Sequence, residues 1–154
     1  MKRLLQGLSD YWDAQSELTT YFTGGIHLGT APIEMSDPYV VVVASEGPFY
    51  TWEEALCTFT VIFMLHAGGQ DVSPLVDAFD KMTKKFDNVR FPVLGWEIKT
   101  FRRQPGGGKP VKVDKMWVIP VEYESIIEKC DMITTTTSSS TTSSTTLPPT
   151  TTTS

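Results

Sequence analysis

The chain has 154 residues, 18 acidic and 13 basic, and a net charge of −5. A mildly acidic protein lacks the basic footprint of a general nucleic-acid binder, and two cysteines, Cys57 and Cys130, are too few for a disulfide framework or a zinc cluster. No run approaches the roughly 18 apolar residues that a membrane span needs, and Asp10 and Asp13 interrupt the signal-like opening Met1-Lys2-Arg3-Leu4-Leu5, which reads against export.

The first element is a helix. Leu4, Leu8, Tyr11, Trp12, Gln15, Leu18 and Phe22 recur at steps of three and four, and Gly24-Gly25 stops the pattern. Ile26-His27-Leu28 reads as a short strand, and Gly29 to Pro38 as a loop. Tyr39 to Ala44 is a β-branched run without alternation, so both its faces should be covered, and Glu46-Gly47-Pro48 should end it. From Glu54 to His66, Ala55, Cys57, Phe59, Val61, Phe63 and Leu65 share one face. The opposite face turns apolar toward His66, which predicts deeper burial at that end. Ser73-Pro74 opens a second helix, with Ser73 as N-cap, and Leu75, Phe79, Met82 and Phe86 as its stripe. It should end near Asp87-Asn88. Phe91 to Arg103 and Val111 to Ile126 read as one hairpin, joined by a flexible loop from Gln104 to Pro110. In it Leu94, Trp96 and Ile98 alternate with Glu97 and Lys99. Pro120 predicts an edge strand or a bulge.

Residues 134–154 stand apart, being Thr or Ser except for Leu147, Pro148 and Pro149. Such a segment cannot bury enough apolar surface to offset its ordering entropy, so it reads as a disordered tail, a linker or a loose end. The fold class expected for residues 1–133 is α+β: a mostly antiparallel sheet of about four to five strands packed with two helices.

The residues give no reaction and no ligand. His27 and His66 lie on separate elements with no companion ligands, and the carboxylate pairs Asp77/Asp80 and Glu53-Glu54 read as solvated faces. Gly106-Gly107-Gly108 joins two strands, whereas a phosphate cradle needs a following helix N-terminus. No cofactor or metal is expected. Charge is more informative. Between Glu97 and Lys115 stand six bases and two acids, a balance of +4, against −9 for the rest. The hairpin is a basic arm on an acidic body. It has three readings: a solvated tip, a contact with DNA phosphates, or a head-to-tail contact between copies steered by complementary charge. The third makes Lys99, Arg102, Arg103, Gly106, Gly107, Gly108, Lys109 and Lys112 the candidate partner interface.

The opening helix, then Ile26-His27-Leu28-Gly29-Thr30-Ala31-Pro32 and Asp37-Pro38-Tyr39-Val40-Val41-Val42, the strand at Thr58 to Leu65, the helix at Pro74 to Phe86 and the closing hairpin follow one another in an order that resembles the tail terminator (tail completion) family of long-tailed bacteriophages. The resemblance covers roughly Leu4 to Glu128 and excludes the Thr/Ser tail. It implies a structural protein rather than an enzyme. Copies would form a ring, commonly a hexamer, at the head–tail junction of the virion, made in the host cytoplasm. Its partners would be further copies, the tail tube protein and a head-completion or connector protein, with DNA only passing through and no membrane. Two alternatives stay open: another phage adaptor or tube subunit, or a small ligand-binding or enzymatic α+β domain with a pocket lined by Trp96 or Trp117.

Overall fold

The computed structural model describes residues 1–30, 38–49 and 56–130. Glu53-Glu54 and the Thr/Ser tail lie outside the described residues. The elements run α1 (Lys2–Asp13), α2 (Ser16–Tyr21), β1 (Ile26–Leu28), β2 (Tyr39–Phe49), β3 (Leu56–Gly68), α3 (Ser73–Phe86), β4 (Trp96–Arg103), β5 (Val111–Val113) and β6 (Met116–Lys129). The strands form one six-stranded sheet in the order β1-β2-β3-β6-β4, with β5 also paired to β6. All pairings are antiparallel except β1 with β2. The fold is α+β, as the sequence implies, with one helix and one strand more than expected.

The extra helix arises because the opening periodic segment breaks. Gln15 adopts extended geometry and starts α2 as its N-cap. In one straight helix Trp12 and Phe22 would be about 15 Å apart along the axis. The break brings their ring centroids to 5.5 Å. Burying both rings outweighs the lost helical turn, since each contributes about 1.5–3 kcal/mol. The extra strand arises because a two-residue turn, Asp114-Lys115, separates β5 from β6, with Asp114 in the left-handed region at φ 55°.

One face of the sheet is closed by the helices. Phe59, Val61, Phe63 and Leu65 are fully buried, as β3 alternation predicts. Phe63 meets Trp12 of α1 at 6.3 Å, Phe86 of α3 at 5.2 Å and Tyr123 of β6 at 5.6 Å. Ile119, Val121, Tyr123 and Ile127 complete this side from β6. The Cys57 thiol lies here, and burial pushes its pKa up, as suits an unreactive core thiol.

The opposite face departs from the sequence reading. Deeper burial at the His66 end is not found: Thr58 is buried, whereas Ile62, Met64 and His66 are only half-buried. Hydrophobicity signals burial only when a neighbour supplies a cover, and no described helix lies on this side. The β2 valine run is likewise covered only in part, because Val41 is buried but Val43 is 37% exposed. Strand β2 continues through Glu46-Gly47-Pro48 to Phe49 by a register shift against β3.

Two boundaries also move. Ser73 begins α3 rather than capping it; Val72 is the N-cap, and the Ser73 N–H donates to the Asp71 carboxylate at 2.9 Å. Strand β4 starts at Trp96, not Phe91. The preceding turn, with Gly95 at φ 74°, leaves Leu94 68% exposed while Ile98 is buried.

Gly7 sets how closely α1 approaches that turn. A Cβ there would lie 2.7 Å from the Pro92 carbonyl oxygen. Gly7→Ala should gain up to about 1 kcal/mol of helix propensity. The forced retreat from a backbone oxygen should cost more, for a net loss of about 1–2 kcal/mol, the scale of overpacking. Urea denaturation checks the sign.

Candidate functional site

The basic segment is not a projecting arm. Strand β4, the loop Gln104 to Pro110 and β5 lie in succession along the same edge of β6. The Gln104 N–H donates to the Glu122 carbonyl and the Gly108 N–H to the Pro120 carbonyl, both at 2.8 Å. The glycine run is therefore a wide bulge in an edge strand, and the hairpin tip is Asp114-Lys115. Gly106 and Gly108 sit at φ 96° and 90°, and a Cβ on Gly108 would strike the Phe79 ring at 2.6 Å. This accounts for Pro120. Its carbonyl, and hence its ring nitrogen, faces the bulge rather than β3, so proline sits inside a central strand without breaking the β3–β6 ladder.

Half of the basic residues are engaged within the chain. The Lys99 ammonium pairs with Glu128 at 2.6 Å and Glu97 at 3.0 Å, and hydrogen bonding to Glu128 and then Glu97 holds its pKa above the ordinary value. Arg103 pairs with Asp87 at 3.1 Å and lies 5.8 Å from the Phe79 ring centroid. Lys112 lies over the Trp117 ring at 5.5 Å. Arg102, Lys109 and Lys115 make no ion pair among the described residues. Arg102 stands opposite Glu124 in the β4–β6 register. It also lines a small concavity with Arg90 and Lys99 at the outer edge of β4.

Asp87 joins the edge to the core. Its second oxygen accepts the Tyr123 hydroxyl at 2.8 Å. Burial first, then the Asp87 hydrogen bond, pushes the Tyr123 pKa far up.

The open sheet face is the larger feature. Sequence periodicity places its residues on one side but does not show that Ile62, Met64, His66 and Val118 stay half-exposed and Val43, Val111 and Val113 exposed, while Tyr39 and Val41 are buried. Cross-strand rows run Val43–Ile62–Glu122 and Val41–Met64–Pro120. A third runs Tyr39–His66–Val118–Val111. An apolar belt thus crosses four strands. The Tyr39 and His66 rings stack at 4.5 Å, and burial lowers the His66 pKa, favouring the neutral ring. Beside the belt, Ile62, Pro105, Gly106, Gly107, Pro120 and Glu122 line an open depression of about 410 Å³. Neither candidate pocket tryptophan belongs to it. Trp96 packs on Phe59 at 5.4 Å, and Trp117 lies under Lys112.

His27 and His66 both flank Tyr39, but no described group of three or more His, Cys, Asp or Glu residues could hold a metal ion. No described helix is long and apolar enough to cross a membrane.

No protein-family model matches the chain, and no curated protein matches it by sequence. Solved structures do match by fold. A chain from the virion of a native gene transfer agent (GTA) particle is similar with a TM-score of 0.67 at 10% identity, over 77% of this chain and 90% of that one. A second solved chain, which carries no functional name, gives 0.55 at 10% identity, over 84% of this chain and 94% of its own. At such identity the likeness is one of fold.

Removing the Tyr123 hydroxyl tests the Asp87 junction. Tyr123→Phe should cost about 1.5–3 kcal/mol, the range for a hydrogen bond to a charged group. Because the folded pKa is raised, this tyrosine contributes stability that is present below its unfolded pKa of about 10 and lost as pH rises above it. Wild-type stability should therefore fall above about pH 10, and Tyr123→Phe should flatten that decline in denaturation curves.

Proposed function

We propose that this chain is a structural virion protein that assembles as a ring at the head–tail junction, ends polymerisation of the tail tube and joins the tail to the head connector. The observation that carries this reading is the fold shared with a chain of the GTA virion over 90% of that chain's length. The element order, which resembles phage tail terminators, supports the same role. The surface suits assembly: an apolar belt on an otherwise well-packed domain marks an interaction site. Acidic and basic regions on different parts of that surface allow a heterologous contact, which makes a ring when the rotation closes.

Within the basic edge, we assign the intermolecular role to Arg102 and Lys109, because Lys99, Arg103 and Lys112 are engaged in the chain itself. The remaining partners in this reading are the tail tube protein and a head-completion protein, with DNA passing through the ring. The shared fold also supports a neighbouring post in the same assembly, an adaptor or a tube subunit.

Electron microscopy and sedimentation of the full chain, alone and with tail tube protein, test the proposal. Closed rings are expected, together with tubes that stop growing once capped. An adaptor would form rings without stopping the tube. A strict monomer at high concentration that leaves tube growth unchanged contradicts the proposal. Arg102→Glu with Lys109→Glu should weaken assembly while leaving the fold intact, since exposed charges contribute little to stability.

A further inference from the structure

The open face has two ends of opposite character. At one end, Val111 and Val113 of β5 are 51% and 53% exposed. Their register against Val118 and Met116 puts them on the open side. Lys109, Lys112 and Lys115 against Asp114 give this hairpin three bases to one acid, or +2. Farther along β6, Val43 and Ile62 form an apolar row ending at Glu122, with Glu124 one step beyond. Glu122 and Glu124 are exposed and make no ion pair among the described residues, although Glu124 accepts a hydrogen bond from Gln104 at 3.5 Å and stands opposite Arg102.

Within one molecule Lys109 already lies near Glu122, since a Cβ on Gly107 would be 3.7 Å from the Glu122 nitrogen, but the hairpin valines cannot reach the Val43–Ile62 row. The pairing Val111↔Val118 locks β5 to β6, and Glu122 lies four residues further on, about 13 Å at the usual strand rise. Both surfaces are rigid parts of one sheet. They match in two independent respects, apolar against apolar and base against acid, which is what a repeated contact between copies requires.

Building on the ring reading, we propose that the β5 hairpin of one copy seats on the acidic half of the open face of a second copy. Val111 and Val113 cover Val43 and Ile62, while Lys109 and Lys115 come beside Glu122 and Glu124. The contact joins two different patches, so a copy bound through its hairpin still offers its own acidic half to the next. It would also explain why no described helix covers a β3–β6 face with Ile62, Met64, Val118 and Pro120.

Two charge-reversed full-length variants test this, Glu122→Lys/Glu124→Lys and Lys109→Glu/Lys115→Glu. All four positions are exposed, and unchanged circular dichroism and thermal melting confirm that both variants fold. Each alone should remain monomeric at a concentration where the wild type assembles, with apparent self-affinity at least about tenfold weaker, or about 1.4 kcal/mol. Mixed in equal amounts they should assemble again, because each hairpin then meets a face of opposite charge. If the wild type forms rings and either variant assembles equally well, this contact is wrong while the ring reading stands. If the mixture stays monomeric, the assigned pairing is wrong. A solitary wild type ends both.

Discussion

Phe63 projects from the middle of the sheet into a cage formed by Trp12, Phe86 and Tyr123. That packing decides which side of every strand is inside. Strand alternation is strict, so once Phe63 faces the helices, Ile62 and Met64 must face away from them. The open face is therefore not a flaw in packing. It follows from a core that the described helices close on one side only, with apolar residues placed on both.

The edge beyond β6 follows from a second constraint, the missing N–H of Pro120. A central strand tolerates proline only where its nitrogen has no ladder partner to lose. The glycine bulge from Gln104 to Pro110 provides that position, and its two backbone hydrogen bonds keep it against β6. The same bulge breaks the outer strand into β4 and β5 and walls the depression beside Ile62. Lysines and a bulge on an outer strand also discourage indiscriminate strand pairing, so contacts through this edge must be selected by side chains.

Much of the fold is legible in the sequence because the local signals and the packing agree. The β3 alternation, the α3 stripe and the glycine stops each point one way. The misreadings share a cause: they depend on partners distant in sequence. The kink at Gln15 is set by Phe22 folding back on Trp12. The burial of Thr58 against the exposure of Val43 depends on what covers each end of the sheet. A bulge from Gln104 to Pro110 looks like a hairpin loop until its bonds to Glu122 and Pro120 are known. For the candidate site, the charge asymmetry was visible from residue counts. The engagement of Lys99, Arg103 and Lys112 by neighbours was not, and neither was the apolar belt, which needs strand order and register.

The proposed assembly needs copies of this domain to meet through the face that no described helix covers. Zero-length carbodiimide cross-linking of an equal mixture of unlabelled and ¹⁵N-labelled full-length protein measures this most directly. The account predicts mixed-isotope peptide pairs linking Lys109 or Lys115 to Glu122 or Glu124. Assembled protein whose mixed-isotope links all lie elsewhere, with none touching the open face, would contradict it.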